Sequence, residues 1–300
     1  MLAFAGDQCV TDDVTGLMWE VKTLDGGLRD ARNLYTNYSA AYNQGGNYRA
    51  ATDASGFADA VNSAGLCGFN DWRLPGADEL LSLADFGTIS PAKAVDENWF
   101  PNTQNGQDTG GVSYTYWSAT PSPEGTTYGR GVYFGTAGDG TISRDNSGYV
   151  RLVRGAIHHP SPRFSVSADG LEVTDNETQL VWRRCVEGAS YDSIGNTCVV
   201  NSPGADLYTH EAALQRATTV AAPWRLPNVK ELSSIVDRSV MPAIDSALFP
   251  ATPTGAFWSS TPKPDASLIS SAYVVDANFG TAYFSGRTGT AYVRLVRDAP

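Results

Sequence analysis

Apolar positions in this chain come in short runs that stop at proline, glycine or asparagine, and two of those runs are nearly identical. They are "DWRLPGADELLSLAD", from Asp71, and "PWRLPNVKELSSIVD", from Pro223. In each, the residue before proline, Leu74 or Leu226, is held extended by clash with the ring. Leu80, Leu83 and Ala84 then share one helical face, as do Leu232, Ile235 and Val236. Asn228 with Glu231 three residues on forms a capping box, and Gly76 with Glu79 repeats the spacing with a weaker cap. The pattern predicts a strand end turning into an amphipathic helix, with Trp72 and Trp224 plugging the core beneath it.

Elsewhere the period changes. "TGLMWE" and "LEVTDNETQLVW" alternate like strands, the second turning at Asp175-Asn176. A helix is predicted over "HEAALQRATTV", capped by Thr209, and another over "ASGFADAVNSAG", ended by Gly65. "YWSATP" and "FWSSTP" read as strands stopping at proline, followed by "GRGVYFG" and "SAYVVDANFG". "YVRLVR" reads as a closing strand in which Arg151 and Arg154 point to opposite faces, one of them partly buried against a carboxylate.

These elements recur in one order. Five anchors match: "TGLMWE" with "TQLVWR", the two WRLP segments, "AVDENWFP" with "AIDSALFP", "YWSATP" with "FWSSTP", and "YVRLVRG" with "YVRLVRD". Length differs only between anchors. Trp19 and Trp72 are 53 positions apart, Trp182 and Trp224 only 42. Variation confined to gaps is how loops behave on a fixed scaffold. The chain therefore reads as module one, 1–155, a linker, 156–162, and module two, 163–300.

Composition and charge narrow the function. A 42% hydrophobic share supports packed cores, and 30 glycines with 16 prolines point to many turns. A net charge of −11 argues against nucleic acid and against anionic lipid surfaces. No apolar run approaches the ~18 residues of a membrane span. The opening "MLAFAGDQC" is too short for a signal peptide, and its "AFAG" is like the tail of one, so the chain is expected to begin at a cleavage site.

The four cysteines divide two and two. Cys185 and Cys198 bracket a Gly/Ser/Asn-containing loop of module two, and a bridge there contributes roughly 3 kcal/mol. Cys9 and Cys67 align with Glu172 and about Thr219, so both are missing together from module two, as a bonded pair predicts. Two disulfides and an oxidising compartment are expected.

The ordered set "TGLMWE", "CGFNDWRLPGADEL", "YWSATP" and "YVRLVR" resembles the Lcl C-terminal domain family, over both modules. It is also similar to the wider C-type lectin-like superfamily. The resemblance implies an α+β fold of two tandem C-type lectin-like modules, each with two helices flanking small antiparallel sheets. It also implies an extracellular binding role in a secreted or bacterial cell-surface protein. The namesake domain ends a collagen-like adhesin associated with sulfated glycosaminoglycans. This chain has no Gly-X-Y tract and is acidic, and it lacks the Glu-Pro-Asn, Gln-Pro-Asp and Trp-Asn-Asp tripeptides of sugar-chelating lectins.

Candidate chemistry is sparse. His158 and His159 lie in the linker and His210 begins a helix, and neither module repeats a base held by a third group. No catalysis is expected. Formylglycine-type chemistry, the weakest alternative, needs reactive cysteine. No cofactor is expected, although calcium suits the oxygen ligands near Asp108, Asp139, Asp145 and Asp276. Ligand contacts are expected on loops, through Tyr114, Tyr128 and Arg130 in module one and Tyr273, Asn278, Tyr283 and Arg287 in module two. Trp19, Trp72, Arg73, Trp117, Trp182, Trp224, Arg225 and Trp258 form the structural signature. The function expected is non-catalytic adhesion to a glycan or protein. The alternative is a structural subunit of a surface filament, pilus or matrix that assembles with copies of itself.

Overall fold

The structure is a computed structural model describing residues 2–3, 8–88, 93–105, 115–157, 159–200, 207–220, 223–264 and 270–300. The chain divides into two units, Met1–Ile157 and His158–Pro300.

In the first unit, β1 (Leu2–Ala3), β2 (Cys9–Thr11) and β3 (Met18–Glu20) precede α1 (Ala54–Ala64) and α2 (Ala77–Ser82). β4 (Tyr116–Pro121), β5 (Tyr128–Tyr133), β6 (Gly138–Ser143) and β7 (Val153–Arg154) follow. One sheet runs β1-β2-β3-β7 and the other β4-β5-β6. The second unit repeats this plan with β8 (Phe164–Val166), β9 (Glu172–Asp175) and β10 (Leu180–Arg183), then α3 (His210–Thr219) and α4 (Val229–Ser233). β13 (Ala256–Pro262), β14 (Ser271–Asp276), β15 (Ala282–Gly286) and β16 (Val296–Asp298) complete it. Its sheets run β16-β10-β9-β8 and β13-β14-β15. A hairpin of β11 (Ala189–Asp192) and β12 (Thr197–Val200) is added between β10 and α3.

Registers match between copies. Trp19 opposes Val153 as Trp182 opposes Val296, and Cys9 opposes Glu20 as Glu172 opposes Arg183. The register shifts after Trp117 in one copy and after Trp258 in the other.

The α+β expectation is overturned. Of the described residues 14% are helical and 31% strand, and the named strand pairs are all antiparallel. The WRLP helices are only 6 and 5 residues long. Local side-chain bonding ends them. Asp85 Oδ1 accepts from Gly87 N at 2.8 Å and Asp237 Oδ1 from Ser239 N at 2.8 Å, each closing an Asx turn that competes with continued helix. The closing "YVRLVR" strand is also shorter than expected, reduced to β7 in module one.

The cores centre on tryptophan. Trp19, Trp117, Trp182 and Trp258 are fully buried. Trp117 Nε1 donates to the Tyr35 carbonyl at 2.8 Å, and Trp258 Nε1 to that of Tyr208 at 2.7 Å. Trp72 is buried as expected, but Trp224 is only half-buried.

Candidate functional site

The repeated arginine of WRLP is a clamp. Arg73 donates two parallel hydrogen bonds to Glu79, both 2.7 Å, and Arg225 does the same to Glu231 at 2.7 and 2.8 Å. The same carboxylates accept from Gly76 N and Asn228 N, capping α2 and α4. Backbone bridges from Arg73 to Val153 and from Arg225 to Val296 tie the turn to the closing strand. One glutamate thus fixes a cap, a bend and a sheet edge. With the arginines 40% exposed, Glu231→Ala is expected to lower module-two stability by only about 1–2 kcal/mol, read from denaturant midpoints.

The first arginine of "VRLVR" is consumed differently. Arg151 is fully buried and donates to the Glu20 carbonyl and to Thr103 Oγ1, both at 2.8 Å, with Phe100 under its guanidinium. The Glu20 carboxylate instead takes Lys22 Nζ at 3.1 Å and Leu152 N at 3.0 Å. Arg294 is equally buried and donates to the carbonyls of Arg183 and Arg184 and to Thr252 Oγ1, with Phe249 beneath it. Burial lowers the pKa of both guanidiniums. Arg154, on the opposite face, reaches Asp71 and stacks on Phe69.

His210 is also committed to the core. It is 2% exposed, with Nε2 3.0 Å from the Ser259 carbonyl and its ring edge-on to Trp258. Burial lowers its pKa. The unfolded chain therefore binds a proton that the folded chain resists, and the stability this gives is complete above the ordinary value of 6.5. Module two is expected to lose stability as pH falls below about 6.5, and His210→Gln to flatten that slope in melting curves between pH 7.5 and 5.

Several expected ligand residues are not on loops. Arg130 lies in β5, fully buried and paired with Asp139 at 3.3 Å. Tyr273 lies in β14 at 1% exposure, opposite Phe284. The residues on either side of each are buried as well, so both strands are covered on both faces at these positions. Tyr128 and Tyr283 are both 41% exposed, on strands of different modules. Asn278 is half-buried and donates from its backbone to Asp276 Oδ1 at 2.8 Å. Arg287 is half-buried and donates to the Ser271 carbonyl. Tyr114 and Asp108 lie outside the described residues. Among the described residues, the aspartates expected near calcium each have another partner. Asp139 is held by Arg130, Asp145 accepts from Tyr42 Oη at 2.8 Å, and Asp276 closes its own turn.

What the structure does bring together lies in module two. Glu172 and Arg183 are register partners, and Arg297 opposes Val181, so all three side chains rise from one face of the β16-β10-β9 sheet. Trp224 packs on that face, its ring centre 5.6 Å from Arg183 and 5.2 Å from Arg297. Glu187, buried on the turn after β10, accepts from Arg183 at 2.8 Å and from Arg216 of α3 at 2.7 Å. Arg297 donates to Glu172 at 2.7 Å. The β11–β12 hairpin forms the far wall. It is closed by Cys185–Cys198 and held by buried Arg184, which reaches Asn196, Ala247 and Leu248. Glu172, Arg183, Glu187, Arg216 and Trp224, with Tyr191 and Tyr208, line a cleft of about 600 Å³.

In module one the matching place is filled. Cys9 stands where module two has Glu172, and its disulfide to Cys67 brings Leu66, Cys67 and Phe69 into one cluster with Trp72. The signal was present in the sequence. The shorter gap before Trp224 and the Cys9-to-Glu172 exchange mark a loss of filling, which reads as an opening only once registers are known.

Two disulfide-tied copies of one small β scaffold, joined in tandem, define this class of protein. The Lcl C-terminal domain model matches residues 8–154 and again 171–297, and the chain belongs to that family. No curated protein matches the chain. Two disulfides, and no helix among the described residues long and apolar enough to cross a membrane, are compatible with an extracellular location.

Proposed function

We propose that this is a secreted or cell-surface recognition protein that binds a glycan or a protein without chemical turnover. The observation that carries the reading is the contrast between the modules. On one scaffold, the same site is packed shut in the first copy and open, aromatic and polar in the second. Selection for folding alone favours filling such a space. The reactive-looking residues also support the reading. The cysteines are bonded in pairs, His210 is neutralised by burial, and the repeated arginines hold the scaffold. Two modules on a short linker gain avidity if both engage one surface.

The test is a screen of the intact oxidised protein against a glycan array and extracellular-matrix proteins, with and without calcium chelator. Saturable binding that leaves the ligand chemically unchanged is the expected result. Conversion of a bound ligand, or filament assembly with no ligand bound, would overturn it.

A further inference from the structure

We propose that the cleft beside Trp224 is a binding site for one or two rings of an uncharged sugar, and that only module two has it. The inference rests on the recognition reading and gives it a place and a ligand class. The cleft volume of about 600 Å³ falls in the range of small-ligand pockets, roughly 300–1,000 Å³.

Its electrostatics select against ions. Glu187 is shared between Arg183 and Arg216, and Glu172 is held by Arg297. Every charge that faces the cleft is already answered by another. An anionic ligand that takes a guanidinium from Glu187 or Glu172 strips that carboxylate of its partner, one that stays on the unspent nitrogens of Arg183 sits beside both carboxylates, and a cationic one has to displace an arginine. Either exchange leaves a partly buried charge without its partner, which is costly. A hydroxyl is both donor and acceptor, so it adds bonds without breaking these pairs.

Suitable groups are in place. Among the described residues, Arg183 spends Nη1 on Glu187, and no protein acceptor takes its Nε or Nη2. Glu172 and Glu187 are fixed acceptors, and each carboxylate has lone pairs to spare. Trp224, Tyr191 and Tyr208 add aromatic surface of the amphipathic kind that meets the apolar face of a sugar ring. The arginines are pre-oriented by their carboxylates and by the indole, so little side-chain freedom is lost on binding.

The test uses the intact oxidised chain and saturation-transfer NMR. The neutral probes are methyl glycosides of glucose, galactose, mannose and N-acetylglucosamine, with lactose and cellobiose. Glucuronic acid and glucosamine are the charged comparisons. Ser190→Trp fills the mouth of the cleft from an exposed strand position that suits tryptophan. Tyr128→Ala removes an exposed aromatic of module one.

At least one neutral probe is expected to bind. Its affinity should fall about tenfold or more in Ser190→Trp and hold in Tyr128→Ala. Glu172→Gln leaves Arg297 unanswered and should shift preference toward glucuronic acid, which a purely structural glutamate would not do. Neutral binding that survives Ser190→Trp would overturn the site, and binding restricted to the charged sugars would overturn the class. If no sugar binds while the protein still captures a matrix protein, this inference falls and the recognition reading stands. If nothing binds in either experiment, both fall.

Discussion

Replacing Arg294 with alanine is expected to destabilise module two by about 3–5 kcal/mol, the combined scale of a large buried cavity and lost buried hydrogen bonds. The side chain is 1% exposed and anchors three acceptors: two backbone carbonyls beside β10 and the Thr252 hydroxyl. Alanine leaves these without their donor and opens a cavity against Phe249 and Phe257. Methionine restores the packing but not the bonds. Arg294→Met is therefore expected to fall between wild type and alanine, and the remaining loss measures the hydrogen bonds. Urea midpoints followed by near-ultraviolet circular dichroism separate the three proteins. An alanine variant within about 1 kcal/mol of wild type would show that Arg294 is not the pin this structure makes it.

The second large effect concerns sulfur. Cys9–Cys67 spans 58 positions and Cys185–Cys198 spans 13. By loop-closure entropy the first contributes about 4 kcal/mol and the second about 3. The first bridge also draws Leu66 and Phe69 over Trp72, so its loss loosens a core as well as a loop. Cys185–Cys198 closes a surface hairpin whose Val199 and Val200 are exposed, so little packing depends on it. The Cys9→Ala/Cys67→Ala double variant should therefore melt lower than Cys185→Ala/Cys198→Ala, each measured against wild type by calorimetry. The reverse order would contradict the reading of module one as the copy closed by its bridge.

Much of the scaffold was legible in the chain. The paired tryptophans, the prolines after Leu74 and Leu226 and the capping glutamates are core and corner residues, and their demands are local. The cysteine pairing followed because a bonded pair is lost together. Helix content was not legible. The apolar spacing after WRLP continues past the point where Asp85 and Asp237 bond their own backbones, and that competition ends the helix. Arg130 and Tyr273 read as loop residues because glycine and serine surround them. In the sheet, Gly131 leaves room for the Thr115 side chain, since an added Cβ would lie 1.7 Å from Thr115 Cγ2. The cleft was hidden for a different reason. Glu172, Arg183, Glu187, Arg216, Trp224 and Arg297 are dispersed along the chain, and only strand register assembles them.

Oxidative footprinting of tryptophan on the intact native protein, read by peptide mass spectrometry, tests most directly whether one twin is sealed and the other open. Trp224 should label readily, as should half-buried Trp99, while Trp72, Trp19, Trp117, Trp182 and Trp258 stay protected. Equal labelling of Trp72 and Trp224, or protection of both, would contradict it.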